Sequence, residues 1–126
     1  VANKESGCYT EVEIGIAQGV NIAVKANLFI NIESISNELK TAGFKWEVYR
    51  LNGTQETYVS NGNFQTIPAN NQILIVTNEP LSTTPTRFRI YVWIDGNSTG
   101  NNVAGASFNG YIGANTEILT GIVNNS

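Results

Sequence analysis

The chain has 126 residues, a net charge of −3 and 13% charged side chains, against the roughly 25% of an average soluble domain. Its seven dispersed Lys and Arg residues make no basic stripe for nucleic acid, and no apolar run approaches the ~20 residues of a membrane span. There is no His, which removes the commonest general base and metal ligand, and the single cysteine, Cys8, has no intramolecular disulfide partner.

The length is that of one domain, residues 1–126, able to bury roughly two-thirds of its surface without disulfide or metal support. Solubility then rests on Asn, Thr, Ser and Gln. Such a neutral polar surface is expected of an extracellular protein, and it suits close packing of identical copies because like-charge repulsion is weak. The chain opens at Val1 without an apolar leader, as a mature secreted chain or a trimmed one does.

Residues 1–8 read as a polar leader in which Cys8 is expected to be buried, or else to pair between chains or carry a modification. From Tyr9 to Ala17 the residues alternate, with Val12, Ile14 and Ile16 on one face and Glu11, Glu13 and Gly15 on the other. Gln18-Gly19 reads as a hinge. Val20 to Ile32 is a long two-sided ribbon: Val20, Ile22, Val24, Leu28, Ile30 and Ile32 share one parity, and Asn21, Lys25, Asn27 and Asn31 the other. Period-two alternation of this kind is the signature of a strand; a helix would scatter the same residues around its circumference.

Ser34 to Gly43 is the one helical candidate, with Ser36 as N-cap, Glu38 in the first turn and Gly43 as the stop. Alternation resumes at Phe44, Trp46 and Val48, and Asn52-Gly53 predicts a hairpin turn. Thr57 to Ser60 is the return strand, Asn61-Gly62 a second turn, and Phe64 to Ile67 a short strand ended by Pro68. The run Ile73-Leu74-Ile75-Val76 predicts a strand covered on both faces. Phe88, Ile90, Val92 and Ile94 alternate with Arg87, Arg89, Tyr91 and Trp93, which predicts a second layer over Tyr91 and Trp93. Asp95-Gly96 opens a polar loop to Asn102, Val103 to Ala114 is glycine-rich, and Thr116 to Val123 reads as the last strand. Strands at this spacing predict an all-β, jelly-roll-like antiparallel β-sandwich with at most one short helix.

No constellation of reacting groups emerges. Glu11 and Glu13 lie two apart, but nothing marks the apolar pocket that would raise one carboxyl for acid–base work, so they read as a solvated strand face. The Asp95–Asn102 loop is rich in oxygen ligands yet lacks a second carboxylate and the EF-hand spacing, so no metal and no cofactor is expected. Asn52, Asn97 and Asn124 head N-glycosylation sequons in turns or at the terminus. Lys25 lies on the polar face of its ribbon, unlike a lysine buried for an isopeptide crosslink.

Two stretches carry a resemblance. Ile35-Ser36-Asn37-Glu38-Leu39 followed by Phe44-Lys45-Trp46-Glu47 and Ser60-Asn61-Gly62-Asn63-Phe64 is one; Ile90-Tyr91-Val92-Trp93-Ile94-Asp95-Gly96-Asn97 followed by Gly105-Ala106-Ser107-Phe108 is the other. Together they resemble the TasA- and camelysin-like secreted β-domain proteins of bacterial surfaces, although this chain is much shorter and has no His-Glu-x-x-His motif. The resemblance implies an exported jelly-roll sandwich. In fibres of TasA-like proteins, and in related archaeal pili, an N-terminal strand of one subunit completes the sheet of the next.

The residues fit that picture on their own terms. Residues 1–19 hold an amphipathic strand ahead of a hinge, with Val12, Ile14 and Ile16 as anchors for insertion into a neighbour; an ordinary first strand within the same domain is the alternative. The expected function is therefore an extracellular structural subunit, not an enzyme, that forms a fibre, pilus or surface layer by head-to-tail contact with copies of itself. Two other readings are a carbohydrate-binding or adhesive module that meets surface glycans through Tyr91, Trp93 or loop aromatics, and a viral jelly-roll structural protein.

Overall fold

The computed structural model describes residues 7–17, 19, 23–95 and 106–118. Seven strands run through them: β1 (Cys8–Ile14), β2 (Val24–Ile35), β3 (Phe44–Asn52), β4 (Gln55–Asn63), β5 (Gln72–Pro80), β6 (Thr86–Ile94) and β7 (Phe108–Ile118). They form two antiparallel sheets, one ordered β1-β6-β3-β4 and the other β5-β2-β7. Only the β3–β4 hairpin stays within its sheet. Every other connection passes to the opposite sheet, which gives the jelly-roll-like winding.

Alternation decides which faces meet. From the three-stranded sheet, Ala26, Leu28, Ile30 and Ile32 of β2 and Ile73, Ile75 and Val76 of β5 are buried. They face Phe44, Trp46 and Val48 of β3 and Phe88 and Ile90 of β6. Val20 and Ile22, the first members of the long ribbon, lie outside the described residues. Aromatic rings close one part of the core: Phe44 stacks on Phe64 at 4.3 Å, and Phe108 meets both edge-on at 5.4 and 5.2 Å.

Several local expectations are corrected. The stretch Ser34–Gly43 makes only a three-residue 3-10 turn, Asn37–Leu39, because β2 runs on through Ile35. Ser36 caps nothing; its Oγ accepts the backbone N–H of Ser107 at 2.9 Å, tying the turn to the start of β7. The β3–β4 turn is Gly53-Thr54 rather than Asn52-Gly53, since Asn52 still pairs with Gln55. Gly53 alone has positive φ (63°), which fits a two-residue turn with glycine at its first central position.

Asn61-Gly62 is no turn. β4 continues to Asn63 while the Trp46 indole lies over Gly62, where an added Cβ would come within 2.5 Å of Cζ2. Phe64 to Ile67 is not a strand, although Phe64 is fully buried. β5 is an edge strand with one covered face, so Leu74 stays 56% exposed. The last strand begins at Phe108, inside the glycine-rich segment, and runs on through Ala114, with the Phe29 ring seated over Gly113.

Candidate functional site

On one side of the sandwich the outermost strands are β1 and β7, each paired on a single flank among the described residues. β1 lies antiparallel to β6, in a register from Cys8 opposite Val92 to Ile14 opposite Thr86. Val12 and Ile14 are half-buried and pack on the core. Ile16, just past the strand, is half-buried too, and its N–H donates to the Ser82 carbonyl at 3.0 Å. Of the three anchors read from the sequence, Val12 and Ile14 therefore sit along one edge against the core of their own chain, and Ile16 lies just beyond the strand. Between the β1 and β7 edges an apolar trough of about 550 Å³ opens, lined among others by Ile30, Phe44, Ile90, Val92, Phe108 and Ile112.

The opposite face of β1 carries charge. Glu11 lies opposite Arg89, and Glu13 opposite Arg87. One oxygen of the Glu11 carboxylate accepts Arg89 Nη2 at 2.6 Å and Nε at 2.9 Å; the other accepts Arg87 Nη2 at 2.7 Å. Arg89 is held in turn by Glu56 of β4, with Nη1 to Oε2 at 3.0 Å, and Tyr91 donates its hydroxyl to the same Glu56 oxygen. The Arg89 guanidinium also lies over the Tyr9 ring, 4.7 Å from its centroid. Hydrogen bonds from Arg89 hold the Glu11 carboxyl below its ordinary range, with Arg87 adding to the effect and partial desolvation opposing it.

A row of four tyrosines crosses the same face, one from each strand. Tyr9 meets Tyr91 at 5.7 Å, Tyr91 meets Tyr49 at 5.6 Å, and Tyr49 meets Tyr58 at 6.1 Å. The outer rings, Tyr9 and Tyr58, are 58% and 53% exposed, whereas Tyr91 is only 7% exposed. Tyr91 is thus covered by side chains of its own sheet and not by the expected second layer; Trp93 is half-buried. Tyr49 donates its hydroxyl to Glu47, and burial first, then that hydrogen bond, pushes its phenol up.

The remaining candidates stay apart. Cys8 is exposed, contrary to the expected burial: it shares the side of β1 that carries Val12 and Ile14, but at its end of the strand that side lines the open trough. Asp95 accepts Lys45 Nζ at 3.3 Å; the rest of its loop, with Asn97, lies outside the described residues, as does Asn124. Asn52 is exposed at the hairpin. Among the described residues no three His, Cys, Asp or Glu side chains cluster to hold a metal ion, and no helix is long and apolar enough to cross a membrane.

Sequence reasoning missed the Glu11–Arg87–Arg89 cluster and the tyrosine row. The cluster leaves a faint trace, an acid pair and a basic pair each spaced by two on strands of matching parity. No protein-family model matches this chain, and no curated protein or solved structure is significantly similar to it.

Proposed function

We propose that this chain is a non-catalytic, extracellular structural subunit that assembles head-to-tail, with β1 of one copy taking the place beside β6 of the next. The supporting observation is the position of β1: an edge strand with half-buried anchors, beside an apolar trough, joined to β2 by a connection long enough to include Gly15 and Gly19. Exchange of an identical element repeats in trans the contacts made in cis, so its thermodynamic cost is small. Head-to-tail exchange leaves a free strand at one end and an open acceptor at the other, and it propagates instead of closing. The resemblance to fibre-forming secreted β-domain proteins points the same way.

Electron microscopy of the purified full chain tests this reading. Filaments are expected, and a Val12→Asp/Ile14→Asp variant should remain monomeric. A wild-type chain that stays monomeric at every concentration tried would overturn it.

The tyrosine row favours a second reading, adhesion to surface glycans. Tyr9 and Tyr58 offer exposed rings at its two ends, and sugar rings stack on such platforms. Glycan binding that weakens in Tyr58→Ala, with no filaments, would select this reading.

A further inference from the structure

We infer that the tyrosine row across the four-stranded sheet is a relay that carries one-electron oxidising equivalents, of the kind peroxides generate, from the β1 edge to the exposed Tyr58 ring on β4. The relay needs no assembly of copies and is independent of the strand-exchange reading.

Spacing is its first requirement. Tyr9 lies directly opposite Tyr91, and Tyr49 directly opposite Tyr58, while Tyr91 and Tyr49 meet on the diagonal between β6 and β3. Centroids follow one another at 5.7, 5.6 and 6.1 Å, tilted or edge-on, so each ring touches the next and an electron can cross by contact.

A proton acceptor at each inner ring is the second. A phenol gives up an electron readily only when its proton leaves as well. Tyr91, 7% exposed, donates its hydroxyl to Glu56, and Tyr49 donates to Glu47. Each carboxylate is thus within hydrogen-bond reach of the proton it would take. Burial and the Glu47 hydrogen bond push the Tyr49 phenol up, so it rests neutral and its proton moves only with the electron. Arg89 lies beside Tyr9 and Tyr91, where an unmatched cation would oppose oxidation, but Glu11 and Glu56 balance its charge.

The electron accounting closes. The oxidant takes one electron from Tyr9, which is refilled from Tyr91. The Tyr91 proton passes to Glu56 and returns when Tyr49 supplies the next electron; Tyr49 uses Glu47 in the same way. Tyr58 loses the last electron, releases its proton to water and ends as a neutral tyrosyl radical at the surface.

Photo-oxidation from one end tests the relay. A parent chain carries Cys8→Ser and Glu13→Cys, which puts its single thiol at an exposed site on the Tyr9 face of β1. A ruthenium polypyridyl complex on that thiol, flashed with a cobalt(III) ammine as electron acceptor, generates the oxidant there. A nitroso spin trap and peptide mapping then record where radicals settle. Adducts are expected at Tyr58 and not at Tyr111, which is equally exposed at 53% but belongs to the other sheet. Tyr91→Phe and Tyr49→Phe keep a ring in place but have no proton to release; either should bring the Tyr58 adduct down to the Tyr111 background while adducts at Tyr9 rise. Glu47→Gln still accepts the Tyr49 hydrogen bond but cannot hold the proton, and it should do the same, whereas a packing role alone would leave the adducts unchanged. Circular dichroism checks that each variant is folded before the flash. A parent with no Tyr58 adduct above the Tyr111 background, or Tyr58 labelling that persists in the folded Phe and Gln variants, would overturn the relay.

Discussion

Glu11 ties the first strand to the sheet through two arginines, and its titration should be visible in the whole chain. Its carboxyl is held below the ordinary glutamate value of 4.5 in the folded state. Stability from this group is therefore complete above that value and fades as pH falls through the depressed range. Melting temperatures measured from neutral to acidic pH should drop more steeply for wild type than for Glu11→Gln; parallel curves would remove Glu11 from the account. Gly62 acts by close approach. A methyl group there meets the buried Trp46 indole at 2.5 Å, so Gly62→Ala should lower unfolding free energy by about 1–3 kcal/mol in denaturant titrations. The same contact explains why Asn61-Gly62 misleads as a turn: local turn chemistry is overridden by a ring packed across from the neighbouring strand, a contact no window of sequence contains.

Strands were legible wherever one face is buried and the other wet, as at Phe44-Trp46-Val48 and Phe88-Ile90-Val92. The reading slips where that contrast is missing. Ile73-Leu74-Ile75-Val76 looks like a strand enclosed on both faces, but β5 is an edge strand and Leu74 points to solvent. Substitutions should separate the two faces: Ile75→Ala should cost about 2–5 kcal/mol, while Leu74→Thr should stay within about 0.5 kcal/mol of wild type in the same unfolding assay. The Glu–Arg cluster was hidden for a different reason. It depends on which strand neighbours β1 and in what register, and 72 residues of chain separate even Ile14 from its partner Thr86.

At the scale of the molecule, the winding that sends almost every connection to the opposite sheet makes the contacts non-local. Chains of this type close long loops before any reward arrives, and refolding in stopped-flow experiments should take milliseconds to seconds, without the microsecond phases of helical bundles. The consequence is sharpest for β1, whose neighbour strand among the described residues, β6, lies far downstream. On a ribosome adding ~5–20 residues per second, β1 would wait about 4–16 s for β6 to be made. Throughout that interval the nascent segment must stay dissolved with its backbone unmatched, and the acidic pair Glu11 and Glu13 opposite its oily side is well suited to keep it so.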